Sequence, residues 1–265
     1  MAAQDRSQYE IFEIRSNDGS KTVNVSNGVI TFSYFENVLS PMITAQAVIV
    51  NTGESVVDEE DDISSVYNGL PLNGGEKVSI KIPATAEGPG IEFTEQNGNE
   101  LYIASITNVL ISAEKETFTI NLVSREAITN ETSRIGKKFP SSEPISDSVK
   151  EIIKNYLLSD KNVDVDETQN PYGFIGNLKK PFTTLTWLAT KSVPGNVSGG
   201  DATAGYFFYE TYLGYHFRSI DSLISQEPFP IEYTYSPGII DNQDPNKDYK
   251  ILEFNTVRNQ KMVEK

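Results

Sequence analysis

The 265 residues predict a mainly β fold with an α+β insertion. Three observations carry that expectation: period-two alternation repeated through the first half, a change to helical periodicity after about residue 128, and a return of aromatic-rich strands after residue 202.

In the first half, YEIFEIR places Tyr9, Ile11 and Glu13 on one face and Phe12 and Ile14 on the other. VITFSYF alternates Ile30, Phe32 and Tyr34 against Val29, Thr31 and Ser33. VSIKI turns Val78, Ile80 and Ile82 inward, with Ser79 and Lys81 outward. LYIASITNVLI and TFTINLV continue the pattern, the latter with Phe118, Ile120 and Leu122 on one side. Alternation this regular predicts an antiparallel sheet with one wet face, closed into a small barrel.

One stretch resists the simple pattern. TFSYFENVLSPMITAQAVIV, residues 31–50, reads as two strands joined by a segment that is neither a tight hairpin nor a helix cap. Pro41 has no N–H to give to a ladder and restricts Ser40 before it, so the chain must bend there or pair without that donor. Beyond the joint, Ile43, Ala45, Ala47 and Ile49 form an apolar face against Thr44, Gln46 and Val48.

The connection that follows carries five consecutive acids, Asp58–Asp62. A calcium loop wants oxygen ligands at alternate positions and a glycine at the sixth, so this run reads as a solvated loop. Gly74 and Gly75 lack a following Gly-Lys-Ser/Thr and read as a turn.

SDSVKEIIKNYLL then sets Val149, Ile152, Ile153, Tyr156 and Leu157 on one helical stripe, with Ser148 and Glu151 as a capping box and Pro144 upstream. PFTTLTWLATKSVP is a second helix, Pro181 in its first turn and Phe182, Leu185 and Ala189 toward its core. Trp187 reads as packing. GYFFYET and GYHFRSIDSLI, separated by Tyr212 and Leu213, predict an aromatic hairpin. The expected domains are residues 1–128, a first barrel; 129–201, a helix-containing α/β domain; and 202–265, strands of a further sheet.

Composition narrows the function. The net charge of −15 and pI near 4.5 argue against attraction to a phosphate backbone, since that attraction comes from Lys and Arg. The plainer reading of such acidity is solubility; the sharper alternative is a surface that nucleic acid must pass without sticking. Without cysteine there is no disulfide framework and no thiolate zinc site. No apolar run is long enough to span a membrane, and no secretory signal opens the chain, so the sequons at Asn24, Asn130 and Asn196 read as chance matches.

No catalytic constellation stands out. His216 shares a strand face with Arg218 and Ile220, and no G-x-S-x-G or H-E-x-x-H surrounds it. The 37 acids supply endless carboxylate pairs, and no spacing singles one out. Lys137 with Lys138, and Lys179 with Lys180, are isolated doublets rather than a basic patch. The sequence predicts no catalytic, cofactor-binding or metal residues and no cofactor.

The order of phrases is more informative. SYFENVLSPMITAQAVIV, NGLPLNGGEKVSIKIP and LYIASITNVLISAEKETFTINLVSREAITNETSRI, then SDSVKEIIKNYL, NPYGFIGNLKKPFTTLTWLATKSVP and ATAGYFFYETYLGYHFRSIDSLIS, resemble the baseplate central hub protein of T-even-type contractile-tailed phages, as found in marine relatives. The resemblance runs to about residue 226 and is densest from Glu36 to Arg134. It implies a structural virion protein and not an enzyme. It implies a homotrimer of paired tail-tube-like barrels, whose ring adapts the six-fold tail tube to the three-fold spike. The implied partners are the spike, the tube or its initiator, neighbouring wedge proteins, and DNA that passes through the channel without specific binding. The implied location is the virion tail baseplate, assembled in the host cytoplasm. It also implies a second barrel as large as the first, and the chain after Ile224 is too short for one, so an incomplete or partner-completed sheet is expected there. Two other readings compete: a carbohydrate-recognising β-sandwich using strands 206–217 as a stacking platform, and a hydrolase.

Overall fold

The computed structural model describes residues 8–51, 56–57, 63–64, 66–70, 72–84, 90–112, 115–195, 205–228, 232–235 and 248–251. The acidic run 58–62, Asn196 and most of the tail lie outside the described residues. Residues 1–223 form one compact unit and residues 224–265 a second.

The sheet of the first unit begins with β1 (Ile11–Arg15), β2 (Thr22–Asn24), β3 (Val29–Phe35) and β4 (Thr44–Asn51). After a small pair, β5 (Val56–Val57) and β6 (Ile63–Ser64), and a short helix, α1 (Val66–Gly69), come β7 (Lys77–Ile82) and β8 (Ile91–Phe93). Two long strands, β9 (Leu101–Ile111) and β10 (Glu116–Ser124), complete it. The hydrogen-bonded order is β2-β1-β7-β9-β10-β4-β3, with β8 added on β7, and every pairing is antiparallel. The sheet curls into a half-barrel. Its edges are β2 and β3, joined through the turn Ser26–Gly28, so among the described residues the ladder forms a half-barrel and does not close.

The alternation seen in sequence fills the inside of this curl. Phe12, Ile14, Ala45, Ala47, Ile49, Val78, Ile80, Leu101, Ile103, Phe118, Ile120 and Leu122 are each no more than 3% exposed. Burying a side chain of the Val, Leu, Ile or Phe type stabilises by about 1.5–3 kcal/mol, so this face holds the sheet together. One expectation is corrected. In β3 the register slips between Val29 and Thr31, so Ile30 points outward at 57% exposure while Val29, Phe32 and Tyr34 take the core side. A bulge adds one residue to one strand and flips the faces, which strict alternation cannot anticipate. Two further slips occur where β9 meets β10, one beside Asn108 with φ 53°. Bulges bend and twist a strand, which fits a sheet that curls.

The Pro41 joint also resolves. Phe35 pairs directly with Thr44, so residues 36–43 are a broad hairpin connection and Pro41 withholds no ladder bond. Within it, the Asn37 side chain accepts from Leu39 N at 2.9 Å, and Ser40 Oγ donates to the Met42 carbonyl at 2.8 Å. The Gly74–Gly75 turn, with φ of 98° and 93°, wraps its amides around buried Glu76, whose carboxylate accepts from Asn73 N and Gly74 N at 2.7 and 2.9 Å.

The rest of the first unit is α+β. It contains α2 (Arg125–Thr132), β11 (Lys138–Phe139), α3 (Ile145–Asn155), β12 (Val163–Val165), β13 (Phe174–Ile175) and α4 (Pro181–Ala189). The expected hairpin follows as β14 (Tyr206–Thr211) and β15 (Gly214–Ser219), then α5 (Ile220–Ile224). β15 also pairs in parallel with β12, so the hairpin belongs to a three-stranded sheet that shares a second apolar cluster with α3 and α4. Val149, Ile152, Ile153 and Leu157 are buried as their spacing predicts. The capping box is not formed. Pro144 occupies the N-cap, Ser148 lies buried inside the helix, and Glu151 pairs with Lys137 at 2.6 Å. The helix takes its cap from afar, Thr168 Oγ1 accepting Ser146 N–H at 3.0 Å. Likewise Asn130 Oδ1 accepts Phe182 N–H at 2.8 Å at the start of α4, where Pro181 stands in the first turn.

In the second unit, β16 (Glu232–Tyr235) and β17 (Asp248–Ile251) form a parallel pair.

Candidate functional site

Where the half-barrel meets the α+β region, two carboxylates are shut from water around a largely buried ammonium. Glu126 stands in the first turn of α2, Lys161 in the loop before β12, and Glu210 on the inward face of β14. Lys161 Nζ lies 2.8 Å from Glu126 Oε2 and 2.6 Å from Glu210 Oε1. The two carboxylate side chains are 1% and 0% exposed. Every remaining acceptor is used by a neighbour. Ser159 donates to Glu126 at 2.7 Å, Ser124 donates to Glu210 at 2.8 Å, and the backbone N–H of Ile43 donates to Glu210 at 3.0 Å. Lys161 also lies 5.9 Å above the ring of Tyr215.

This cluster ties the entry to β4 and the end of β10 to the aromatic hairpin, which are far apart in sequence. Two carboxylates share one ammonium, so their environments diverge. Burial pushes Glu210 above the usual carboxylate range, and Lys161 and its hydrogen bonds only partly offset this. Burial also disfavours charge on Glu126, but the Lys161 charge and the hydrogen bonds from Lys161 and Ser159 hold it below that range. For Lys161, burial is outweighed by the two carboxylates, which raise it. Breaking a buried ion pair from one side is strongly destabilising, so the cluster acts as a structural lock.

The hairpin tip is docked on the half-barrel as well. Tyr212 N donates to Glu36 Oε1 at 2.6 Å, its ring meets Phe93 edge-on at 5.4 Å, and its hydroxyl donates to the Glu92 carbonyl at 3.1 Å. Tyr34 OH donates to the same Glu36 oxygen at 2.6 Å. Gly214 closes the turn with φ 129°, where a Cβ would lie 2.2 Å from the Asn162 carbonyl oxygen.

His216 sits on the opposite face of this sheet. Its Nε2 is 2.9 Å from Thr211 Oγ1, its Nδ1 is 3.5 Å from Asp164 Oδ2, and its ring stacks on Tyr209 at 5.0 Å. Hydroxyl, imidazole and carboxylate thus stand in the order a nucleophilic triad requires. The geometry does not make one. Nδ1 is not hydrogen-bonded to Asp164, which instead accepts from Arg218 Nη1 at 2.8 Å. Thr211 Oγ1 accepts from Leu213 N at 3.2 Å as part of the turn. Arg218 also lies 3.1 Å from Asp166, so this is an ion-pair face built on β12 and β15.

The chain brings the Lys137–Lys138 and Lys179–Lys180 doublets onto one small ladder, where Ile135 bridges Lys179 and Gly176 N donates to the Lys137 carbonyl, but three of the four side chains are engaged there. Lys137 pairs with Glu151, Lys180 with Glu131, and Lys179 lies 5.6 Å over the Trp187 ring, which packs against Tyr172 and Phe174. Among the described residues no group of three or more His, Asp or Glu is arranged for a metal ion. No helix among them is long and apolar enough to cross a membrane. The buried cluster escaped the sequence reading, although Glu210 carried a signal: it shares the inward period of Tyr206 and Phe208. A charge on the apolar face of a strand needs a partner.

No family model matches this chain, and no curated protein matches it in sequence. Solved structures that resemble its fold include the following three. One is a tail protein from Neisseria meningitidis MC58, at 14% identity and TM-score 0.49, covering 89% of this chain and 56% of that one. Another is the 43 kDa tail protein of prophage MuSo2 from Shewanella oneidensis, at 12% identity and TM-score 0.46, covering 78% and 52%. The third is an E. coli component of the type VI secretion system described as similar to T4 bacteriophage tail proteins, at 10% identity and TM-score 0.41, covering 89% and 51%. The chain spans about half the length of each. None is close enough to assign this chain a partner or an activity.

Proposed function

We propose that this chain is a structural subunit of a contractile phage-type tail, acting as the central hub of the baseplate. Three copies form a ring that joins the six-fold tail tube to the three-fold spike and leaves an axial channel for DNA. The observation that carries the reading is the agreement between the phage-hub phrases and the fold. The segment in which they are densest, Glu36–Arg134, supplies β4, β7, β9 and β10, the continuous middle of the curled sheet. The two sheet edges, β2 and β3, and the −15 charge are compatible with a subunit that assembles around passing DNA.

The carbohydrate-module reading loses its support. Tyr206, Phe208, Tyr215 and Phe217 are buried in the second cluster, Tyr209 stacks on His216, and Tyr212 meets Phe93 edge-on. The inward rings of the strand pair are therefore core, and only the half-buried Phe207 and Tyr209 remain on its outer face. The test is capping of tail tubes. Gold-labelled chain mixed with assembled tubes should mark one tube end in electron micrographs; label scattered along tubes or left in solution contradicts the hub role.

A further inference from the structure

The small ladder that carries the lysine doublets ends in a turn built against local preference. Lys179 N donates to the Gly176 carbonyl at 3.0 Å, and the two residues between them, Asn177 and Leu178, hold φ 50° and 55°, the pattern of a type I′ turn. Asparagine suits the first of these positions and glycine the second, so a leucine there is disfavoured. Its side chain recovers nothing by burial, since Leu178 is 68% exposed. Ile175, opposite Lys138 in the ladder, is exposed as well. Backbone strain and exposed apolar surface at one tip are both costs to the isolated chain.

The charges around this tip are unbalanced. Glu151 and Glu131 answer Lys137 and Lys180. Arg134 donates to the carbonyls of Glu131 and Ser133, Lys179 lies over the Trp187 ring, and Lys138 is exposed. None of these three has a carboxylate in salt-bridge contact among the described residues. A local excess of cations is an exception in a chain of 37 acids and 22 bases.

The same chain carries a segment of complementary character. The strands β5 and β6 pair antiparallel, and the residues that join them are Asp58, Glu59, Glu60, Asp61 and Asp62. Five adjacent acids, flanked in sequence by Val57 and Ile63, match an apolar tip flanked by cations. Within one copy the two lie apart. β4 enters beside Glu210, at the end of the sheet from which α2 leads toward the ladder, and its eight residues span about 24 Å before Asn51. β5 and β6 contact α1, whose Val66 shares a small cavity with Ile49, Val50 and Asn51, so the pair stands at the far end. Five residues that leave and return to one base reach roughly 9 Å at full extension.

We infer that the acidic connection Asp58–Asp62 of one copy docks on the Leu178 tip of the next copy, its carboxylates meeting Arg134, Lys138 and Lys179. The complementarity is local, segment to tip. At physiological salt, screening over about 8 Å leaves touching groups attracted and damps the repulsion between the net charges. The contact is heterologous, one end of a copy against the other end of its neighbour, which is the kind that closes into rings. It rests on the self-assembly proposed above and names the two surfaces that carry it.

The test is a charge exchange in the full chain, read by analytical ultracentrifugation. Lys138→Glu and the double variant E59K/E60K should each weaken self-association about tenfold or more, and the triple variant should recover most of the loss. Leu178→Gly relieves the turn, so it should melt no lower than wild type and yet associate several-fold more weakly. In mixed unlabelled and nitrogen-15-labelled chains, a zero-length carbodiimide should join Lys138 or Lys179 to an acid of residues 58–62 in the other copy. Association that the variants leave unchanged, a triple variant as weak as its parents, or cross-links confined to other sites overturns the docking and leaves the ring standing. A fluorescent single-stranded oligonucleotide bound by wild type and lost in K138E also overturns it, in favour of a nucleic-acid site. A wild-type chain that stays monomeric contradicts the ring reading, and the docking with it.

Discussion

Replacing Lys161 with methionine isolates the lock between half-barrel and hairpin. The substitution keeps most of the side-chain volume and removes the one ammonium within 2.8 Å of both buried carboxylates. Leaving a buried charge without its partner costs about 3–5 kcal/mol. In a chain of this size each kcal/mol shifts the melting temperature by about 2–4 °C, so the variant should melt about 6–20 °C lower. The pH dependence is diagnostic. In the wild type, Glu126 is held below its ordinary range, so its contribution is present above that range and is lost as pH falls through the lowered value. Lys161 is raised, so its contribution is present below the ordinary lysine range and is lost as pH rises through the raised value. Glu210 is raised, so the stability tied to it is present below the ordinary carboxylate range and is lost as pH rises through its folded value. Without Lys161 both carboxylates become groups that burial raises, and the deficit should shrink as the solution is acidified. Chemical denaturation of both proteins at mildly acidic and mildly alkaline pH reads this directly. A loss below about 1 kcal/mol, the level of an exposed pair, would refute the reasoning. So would a deficit that grows on acidification.

Three further outcomes follow from particular contacts. Asn130→Ala removes the side chain that accepts the Phe182 amide at the start of α4, and should cost about 0.5–2 kcal/mol in equilibrium unfolding; no measurable loss would show that water replaces the cap. His216→Ala removes the Thr211 contact and the Tyr209 stack, and should cost about 1 kcal/mol while leaving assembly intact; abolished assembly with normal folding would give His216 a role beyond packing. The bore of an assembled ring should be neutral or negative, in keeping with the −15 charge; a solved assembly with a collar of Lys or Arg lining it would contradict this.

Period-two alternation identified the strands of the half-barrel because one face is buried, and Phe118, Ile120 and Leu122 obey it residue by residue. It failed at Ile30 because a bulge depends on what the partner strand offers. The α3 stripe was legible from its 3.6 period, whereas the cap was not: Thr168 and Asn130 reach their helices across 22 and 52 positions. A local capping box could not compete with Pro144, which already occupies the N-cap with Ser148 drawn into the core. The helix α2 went unread because its REAITNET carries little apolar period, and it is set by its end on β10 and by Glu126 facing Lys161. Glu126, Lys161 and Glu210 are single charges scattered among many, and only the fold brings them together.

The central claim is that the chain is a ring-forming hub, and its symmetry is the most direct test. Purified chain should be imaged by electron cryomicroscopy, with mass measured in parallel. The account predicts three-fold particles with an open axial channel. A monomer at every concentration, or a closed dimer with no bore, would contradict it.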